Sequence, residues 1–281
     1  LVPYSVYEGP DLNPEVSGIQ ALARKTYSHH YYMNATPEIR DVDFARTGAR
    51  LDSFGVGAEA DWRTILVAGQ GKGGRSFVAV DVTDISDSLT EDEIAGRVLW
   101  EFTHPDMGFS FGRPLIAKTR RWGWVVILTG GYNNIGGTKP GQGALFILNA
   151  KTGELLGSSP VYTGSDSGSA SSPSGFAQVE GYTPSYQDYT LDYVYGGDLK
   201  GNLWRFDLRG TTSAYSAPTK IAELKDGSGN PQPVTTAPMI EIGRDGVKRW
   251  VFVGTGKLLD TTDFTDAQQQ TLYAIRDGSL S

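Results

Sequence analysis

The sequence contains no cysteine and only three histidines among its 281 residues. The missing thiols exclude thiolate metal sites, thiol catalysis and disulfide bonds. His29 and His30 are neighbours that an extended chain points to opposite faces, which disfavours a shared metal site. His104 stands alone, and the spacing offers neither a Ser-His-Asp set nor an H-E-x-x-H motif. We therefore predict that the protein is not an enzyme.

Long apolar runs and basic clusters are also missing. No stretch approaches the roughly 18 apolar residues that a membrane-spanning helix needs, so the chain is not expected to span a membrane. The net charge is −7, and the densest group of basic residues, at 118–121, is only four residues long. Nucleic acid is therefore not an expected partner.

Glycine and aromatic residues are abundant instead. The chain has 36 glycines, 14 tyrosines, 11 phenylalanines and 6 tryptophans. This composition is typical of many short strands that are joined by tight turns. Helical periodicity is confined to a short helix within 15–25 and to one turn at 90–95, which Thr90 would cap.

An apolar strand that ends in glycine recurs four times. The matched glycines are Gly69, Gly130, Gly196 and Gly254, and a second strand follows each of them. We interpret each glycine as a position where inner strands crowd together and a larger side chain would not fit. With its flanking strands, each unit predicts a four-stranded antiparallel sheet repeating about every 60 residues, which is the pattern of a β-propeller blade.

The predicted fold class is all-β, a modified β-propeller of four-stranded antiparallel blades. About four blades are recognisable, at 37–103, 112–161, 175–225 and 236–278, after a lead-in at 1–36 that contains the short helix. We treat 1–281 as a single propeller domain or a fragment of one. Four units of this size rarely close a ring, and the last lacks a clear outer strand. We therefore expect the propeller to be part of a larger one.

Outer strands and tryptophans complete the predicted blades. Outer strands are predicted in the first three units, at 97–103, 154–161 and 218–225. Four tryptophans fall in predicted strands, and we interpret them as packing between neighbouring blades: Trp100, Trp124, Trp204 and Trp250.

The stretch GQGKGG (69–74) has the G-x-G-x-x-G spacing of a dinucleotide-binding loop. Such a loop needs a helix after the glycines, because the helix amides hold the pyrophosphate. RSFVAVDVT follows instead, and its alternation predicts a strand. The other units carry glycine-rich turns at the same position. We therefore interpret the motif as the turn of a blade and expect no nucleotide.

Acidic residues in one loop are candidates for a metal site. Glu180, Asp188 and Asp192 lie in EGYTPSYQDYTLD (180–192), between two strands of the third unit. Hard oxygen ligands at short spacing suit Ca²⁺, so calcium is a possible cofactor in a degenerate loop. A second acidic loop, at 260–266, is interpreted as solvated.

Binding on a propeller takes place in loops over a rigid scaffold. The candidate binding surfaces are the long loops at 104–112, 131–143, 161–175 and 180–192. Some residues in them suit adaptable contacts with a partner: Tyr132, Asn133, Asn134, Tyr182 and Tyr186.

Several strings, taken in order, resemble one known family. They include TYSHHYYMNATPEIRDVDF (26–44), LWEFTHPDMGFSFGRPLIAK (99–118) and FVGTGKLLDTTD (252–263). The most specific are GKGGRSFVAVDVTD (71–84) and YGGDLKGNLWRFDL (195–208). Over nearly its whole length, the chain resembles the C-terminal domain of the PilY/PilC family of type IV pilus biogenesis factors and tip adhesins.

The resemblance implies a modified β-propeller on an exported protein, located at the pilus tip, on the outer-membrane surface or outside the cell. It implies a part in type IV pilus assembly, in the balance between pilus extension and retraction, and in surface adhesion. The partners it implies are minor pilins in the pilus-tip complex and host or abiotic surfaces. Members of the family are not enzymes.

Several members of the family also carry a calcium loop of the form D-x-D-x-D-x-x-x-D before the strand that matches YVYGGDL. In this chain Asp192 falls on the last position and Asp188 on the third carboxylate. The two earlier carboxylates fall on Pro184 and Tyr186, unless an insertion lets Glu180 take the first. This departure puts the calcium loop in doubt, and the adhesive Arg-Gly-Asp triplet of some members is absent.

Two other functions remain open. ALFILNAKTGELL (144–156) and NLWRFDLRG (202–210) resemble the repeats of quinoprotein dehydrogenases, which are also propellers. Those enzymes usually need more blades, a calcium-held quinone and often a vicinal disulfide, which a chain without cysteine does not form. The other alternative is a generic peptide- or glycan-binding propeller without a link to pili.

Overall fold

A computed structural model describes residues 2–10, 13, 15–45, 59–86, 88–185, 187–243 and 249–277. Within these ranges the chain is mostly β-strand and loop, with two short α-helices, α1 (Tyr4–Glu8) and α2 (Glu91–Ala95). None of the described helices has the length and apolar character that crossing a membrane requires. The prediction of an all-β fold is confirmed.

The strands form four antiparallel sheets, three with four strands and the last with three described strands. In chain order they are β1 (Glu38–Asp43), β2 (Trp62–Gly69), β3 (Ser76–Asp81), β4 (Val98–Thr103), β5 (Leu115–Thr119), β6 (Gly123–Thr129), β7 (Ala144–Asn149), β8 (Val161–Tyr162), β9 (Val179–Tyr182), β10 (Tyr193–Gly197), β11 (Asn202–Asp207), β12 (Thr219–Glu223), β13 (Met239–Ile242), β14 (Arg249–Gly254) and β15 (Leu272–Asp277). Each sheet is a meander in which consecutive strands are hydrogen-bonded. This is the strand order of a propeller blade.

The first strand of each sheet lies closest to a common axis. Strand β1 contacts β5, β5 contacts β9, and β9 contacts β13. Arg40 in β1 reaches the neighbouring blade and donates from Nη1 to the Ile116 carbonyl in β5 (2.8 Å). The other strands of each sheet therefore extend outwards from the axis.

Three apolar clusters fill the spaces between neighbouring blades. The first joins blades 1 and 2, where the rings of Phe102 and Phe146 lie 5.7 Å apart. The second joins blades 2 and 3 around Phe176 and Phe206, and the third joins blades 3 and 4 around Tyr195. Full burial of one large apolar side chain contributes about 1.5–3 kcal/mol, so these clusters hold the blades side by side.

The four tryptophans do not all pack alike. Trp100 is buried and donates from Nε1 to a backbone carbonyl of blade 2 (3.0 Å). Trp204 is buried in the second cluster and donates to Asp198 Oδ2 (2.9 Å), and half-buried Trp124 packs against the first cluster. Trp250 is half-buried and belongs to none of the three clusters. The prediction of packing between blades holds for the first three and not for Trp250.

The four repeated glycines also differ. A Cβ at Gly69 would lie 2.5 Å from a backbone oxygen, and one at Gly196 would lie 2.6 Å from the ring of Phe176. At Gly130 the nearest atom would be 3.3 Å away, and at Gly254 no described atom lies within 4 Å. Crowding is therefore confirmed at Gly69 and Gly196, is slight at Gly130, and is wrong for Gly254.

The outer strand of blade 2 corrects the sequence prediction. It was expected at 154–161, but β8 covers only Val161–Tyr162. The reason is that a side chain 12 residues further along replaces the backbone partner: the Ser159 hydroxyl accepts from the Ile147 amide (2.8 Å), which a strand partner would otherwise satisfy. Gly157, at a φ of 63°, turns the chain away from the sheet just before this contact.

The lead-in contains less helix than 15–25 predicts, and it places a helix elsewhere. A single 3₁₀ turn covers Ile19–Ala23. Helix α1 was not predicted; its first two amides donate to the Glu101 carboxylate in β4 (2.8 and 2.9 Å). The turn at 90–95 is confirmed as α2, where Thr90 and Glu93 form a capping box.

Candidate interaction face

The meander order places the loops at two opposite ends of the blades. We call the end with the β2–β3 and β6–β7 turns the upper end, and the end with the β5–β6 and β9–β10 turns the lower end. The connections from one blade to the next also lie at the upper end. Of the candidate binding loops, 104–112, 131–143 and 161–175 therefore lie together at the upper end. The fourth, at 180–192, lies at the lower end.

Asp106 joins the three upper loops. Its carboxylate is buried and accepts hydrogen bonds from the Lys139 amide (2.8 Å), the Thr138 hydroxyl (3.3 Å) and the Tyr162 hydroxyl (2.6 Å). Its own amide donates to Nδ1 of His104 (3.1 Å). One side chain thus ties the segment after β4 to the β6–β7 loop and to β8.

The electrostatics of this contact favour a charged Asp106. Burial alone disfavours the charge, but the hydrogen bonds from Tyr162, Lys139 and Thr138 outweigh it, so the pKa of Asp106 lies below its usual value. Burial and the hydrogen bond to Asp106 raise the pKa of the Tyr162 hydroxyl. The pair therefore keeps an ionised acceptor and a neutral donor over the physiological range.

Asn134 and two glycines bring the upper loops into close contact. Asn134 is buried and donates from Nδ2 to the Gln142 carbonyl (2.7 Å), which closes the β6–β7 loop on itself. Gly141 has a φ of 77°, and a Cβ there would lie 2.0 Å from the Ser169 carbonyl oxygen. Gly131 has a φ of 67°, and a Cβ there would lie 2.1 Å from the Phe109 carbonyl oxygen. The upper surface is therefore preformed by close backbone packing.

The loop residues that were predicted to make adaptable contacts with a partner differ in how exposed they are. Asn133 is exposed, whereas Asn134 is buried and structural, which corrects its assignment as a contact residue. Tyr132 is largely enclosed, and burial raises its pKa to about 12. Tyr182 is half-buried, and Tyr186 lies outside the described residues. Sequence composition alone did not separate loop residues that face outwards from those that hold the loop.

The GQGKGG stretch is packed within the protein. A 3₁₀ turn covers Gly71–Gly73, and β3 follows it, as predicted from the alternation of RSFVAVDVT. The Lys72 amide donates to Asn34 Oδ1 (2.8 Å), and the Gly71 amide donates to the Ser110 carbonyl (3.2 Å). These amides hold the lead-in and the 104–112 loop in place.

The acidic residues of the lower loop are each engaged by another group. Glu180 pairs with Arg113 (3.3 Å), and the Asp188 carboxylate accepts from the amide two residues later (2.9 Å). Oδ1 of Asp192 lies 3.5 Å from Nε of Arg120 and accepts no hydrogen bond from the described residues. Burial raises the pKa of the Asp192 carboxyl despite the Arg120 cation. Within the described ranges, no three acidic or histidine side chains are grouped as a metal site. The set therefore fits calcium poorly as it stands.

Comparison with known proteins identifies the family. The sequence-family model for the PilY1 β-propeller domain matches residues 11–280 of this chain. The chain belongs to the PilY1 β-propeller family. A type IV pilus biogenesis factor PilY1 homolog of Xylella fastidiosa (strain Temecula1 / ATCC 700964) is 33% identical over 275 residues, covering 91% of this chain and 17% of that protein. PilY1 of Pseudomonas aeruginosa (strain UCBPP-PA14) is 27% identical over 306 residues, covering 99% and 23%.

A solved structure shows the same fold. The crystal structure of the Pseudomonas aeruginosa PilY1 C-terminal domain superposes with a TM-score of 0.69 at 26% identity, covering 99% of this chain and 52% of that one. The chain thus spans about half of that solved domain and about a fifth of the PilY1 relatives it matches. The resemblance to the PilY/PilC family is confirmed.

Asp106, which organises the upper face of this PilY1-family propeller, is not recognisable from the sequence. Asp106 follows His104-Pro105 in a loop, and no repeat or motif distinguishes it from a solvated aspartate. Its partners are 32, 33 and 56 residues further along the chain. Only the antiparallel order of the blades, which places the three loops at one end, gives a signal for this contact.

Proposed function

We propose that this PilY1-family propeller is a non-enzymatic module that supports type IV pilus assembly, the balance between pilus extension and retraction, and surface adhesion. The observation that carries the proposal is the family match over residues 11–280, together with a 33% identical relative that is named a type IV pilus biogenesis factor. The relatives are named as biogenesis factors and not as enzymes.

The proposed location is outside the cytoplasm, at the pilus tip, on the outer-membrane surface or in the medium. The proposed partners are minor pilins of the tip complex and a host or abiotic surface. The preformed upper face supports a contact with a fixed partner, because a surface that is already ordered loses little conformational entropy on binding.

Deletion of the gene tests the proposal. We expect surface pili, counted by electron microscopy, to fall sharply, and the wild-type gene to restore them. A second deletion, in a strain that lacks the retraction motor, separates assembly from balance: pili should return if the protein opposes retraction. Unchanged pilus number and unchanged surface attachment in both strains would reject the proposal.

Calcium in the lower loop stays a separate prediction from the sequence. The buried Oδ1 of Asp192 accepts no hydrogen bond from the described residues, which favours an ion, whereas the ion pairs of Arg120 with this oxygen (3.5 Å) and of Arg113 with Glu180 (3.3 Å) oppose one. Calorimetric titration with Ca²⁺, reversed by EGTA, tests it. Sub-millimolar binding that Asp192→Ala abolishes would support the site, and no binding at several millimolar would reject it.

A further inference from the structure

A cavity of about 660 Å³ lies beside the inner strands, at the axis of the propeller. Residues of β5, β9 and β13 line it, together with Arg40 of β1, so all four blades contribute. Binding sites for small molecules usually have volumes of about 300–1,000 Å³. The cavity is thus large enough for a ligand of several rings.

Aromatic side chains continue from this cavity to the lower end. Trp124, Tyr182 and Tyr189 line the cavity. Trp62 packs edge-on against Trp124, with ring centroids 6.2 Å apart, and remains 55% exposed. Tyr189 is 53% exposed. Trp124 thus connects exposed Trp62 to the cavity that exposed Tyr189 also lines, and contiguous apolar surface marks a contact site more often than isolated exposed side chains do.

Two observations indicate that these aromatic groups are positioned for a ligand. Nε1 of Trp124 is buried from solvent and has no hydrogen-bond partner in the described part of the chain, although buried donors are nearly always paired. Tyr189 has a φ of 54°, a left-handed conformation that is unfavourable for a tyrosine. Such backbone conformations concentrate at sites that clamp ligands.

The charges around the cavity indicate the class of ligand. Arg40 and Lys118 supply two positive charges, and Glu180 and Glu241 supply two negative ones. Arg113, which pairs with Glu180 and with Glu38 beside the lining, adds one charge of each sign with Glu38. The lining is therefore balanced, which disfavours a polyanion or a strongly basic peptide. Sugar hydroxyls both donate and accept hydrogen bonds and so match both kinds of group. The C–H face of a sugar ring suits a flat aromatic side chain.

We propose that the axial cavity and its aromatic rim, formed by Trp62, Trp124, Tyr182 and Tyr189, bind a neutral oligosaccharide. The proposal deepens the adhesive part of the proposed function and rests on it for its biological role. The binding itself is a property of the propeller and can be measured without pili.

The test uses the purified protein and a panel of hexaoses: maltohexaose, cellohexaose, chitohexaose and xylohexaose, with oligogalacturonate as an anionic comparison. Binding is followed by tryptophan fluorescence and by calorimetry. We expect at least one neutral hexaose to bind with a Kd of about 1 mM or tighter. We expect Trp62→Ala and Tyr189→Ala each to weaken that binding by at least about tenfold, which is near 1.4 kcal/mol.

The control is Phe264→Ala, since Phe264 is 74% exposed in the segment between β14 and β15, away from the cavity lining. It should leave binding unchanged, and the melting temperatures of all four variants, including Trp124→Phe, should show that they are folded. Trp124→Phe, which keeps a ring and removes Nε1, should also weaken binding. Three results would overturn the proposal. The first is that no neutral hexaose binds, and the second is that the rim variants leave binding unchanged. The third is that oligogalacturonate, or peptides from a displayed library, bind selectively. Loss of pili on gene deletion has no bearing on this result.

Discussion

Replacing Asp106 with asparagine should loosen the upper face. The aspartate accepts three hydrogen bonds, from Lys139, Thr138 and Tyr162. A hydrogen bond to a charged group contributes about 1.5–3 kcal/mol. Asparagine keeps one acceptor oxygen but turns an NH₂ group towards donors. We therefore expect the free energy of unfolding to fall by about 2–3 kcal/mol, which lowers the melting temperature by roughly 4–12 °C for a chain of this size.

The pH dependence gives this prediction a second measure. The pKa of Asp106 is lower in the folded protein than its usual value, near 3.9. Its stabilisation is therefore present above the unfolded pKa and is lost as the pH falls through the folded pKa. The difference in melting temperature between wild type and Asp106→Asn should be largest near neutral pH and should shrink at pH values below about 4.

Calorimetry and hydrogen exchange provide the readouts. We expect the amide of Lys139, which donates to Asp106, to exchange faster in the variant. Tyr162→Phe should reproduce part of the loss, and the double variant should be less destabilised than the sum of the two, because the groups share one hydrogen bond. Asp166→Asn, at an exposed position in the same set of loops, is the control. A melting temperature within 1 °C of wild type for Asp106→Asn would refute the reasoning.

The remaining predictions concern buried packing and buried polar contacts within and between blades, and all are checked by thermal or denaturant unfolding. Gly196→Ala should lower the free energy of unfolding by about 1–3 kcal/mol, because its Cβ would lie 2.6 Å from Phe176. Gly254→Ala should change the free energy of unfolding by less than about 0.5 kcal/mol, and equal effects of the two variants would contradict the crowding argument. Arg249→Met should lower the free energy of unfolding by roughly 3 kcal/mol, because buried Arg249 pairs with Asp277 (3.4 Å) and donates to Tyr195 (3.0 Å). The control is Arg209→Met at an exposed ion pair, and a similar loss there would count against burial as the cause. Trp204→Phe should cost about 1–3 kcal/mol, because it removes the indole hydrogen bond to buried Asp198 and leaves that carboxylate with its donors from Lys200 and Asn202 alone; an unchanged midpoint would show that the ring alone matters.

The blades were predictable because their signal is local. Alternating residues such as those of SFVAVD, followed or preceded by glycine turns, specify a strand without reference to the rest of the chain. The repeat then fixed the meander order. The failures occurred where a distant group replaced a local partner. Ser159 replaces a strand at the edge of β7, and Glu101 holds the first turn of α1.

The candidate site was less predictable for the same reason. Glu180 and Asp192 were chosen for their spacing, but Arg113 and Arg120, which lie 67 and 72 residues earlier, occupy them. The importance of Asp106 likewise depends on loops from two other parts of the chain. A single sequence shows which residue types are present in a loop, whereas the partners of those residues are set by how the blades meet.

The two ends of the propeller differ in how their surfaces are built. At the upper end, buried polar contacts around Asp106 and close glycine packing order the loops before any partner arrives. Such a surface suits a partner of fixed shape, which agrees with the assembly partner proposed above. At the lower end, Trp62 and Tyr189 remain exposed beside a cavity whose lining carries charges of both signs. Because the two surfaces lie at opposite ends of the blades, occupation of one leaves the other accessible, so one module can hold both the proposed assembly partner and the proposed surface ligand.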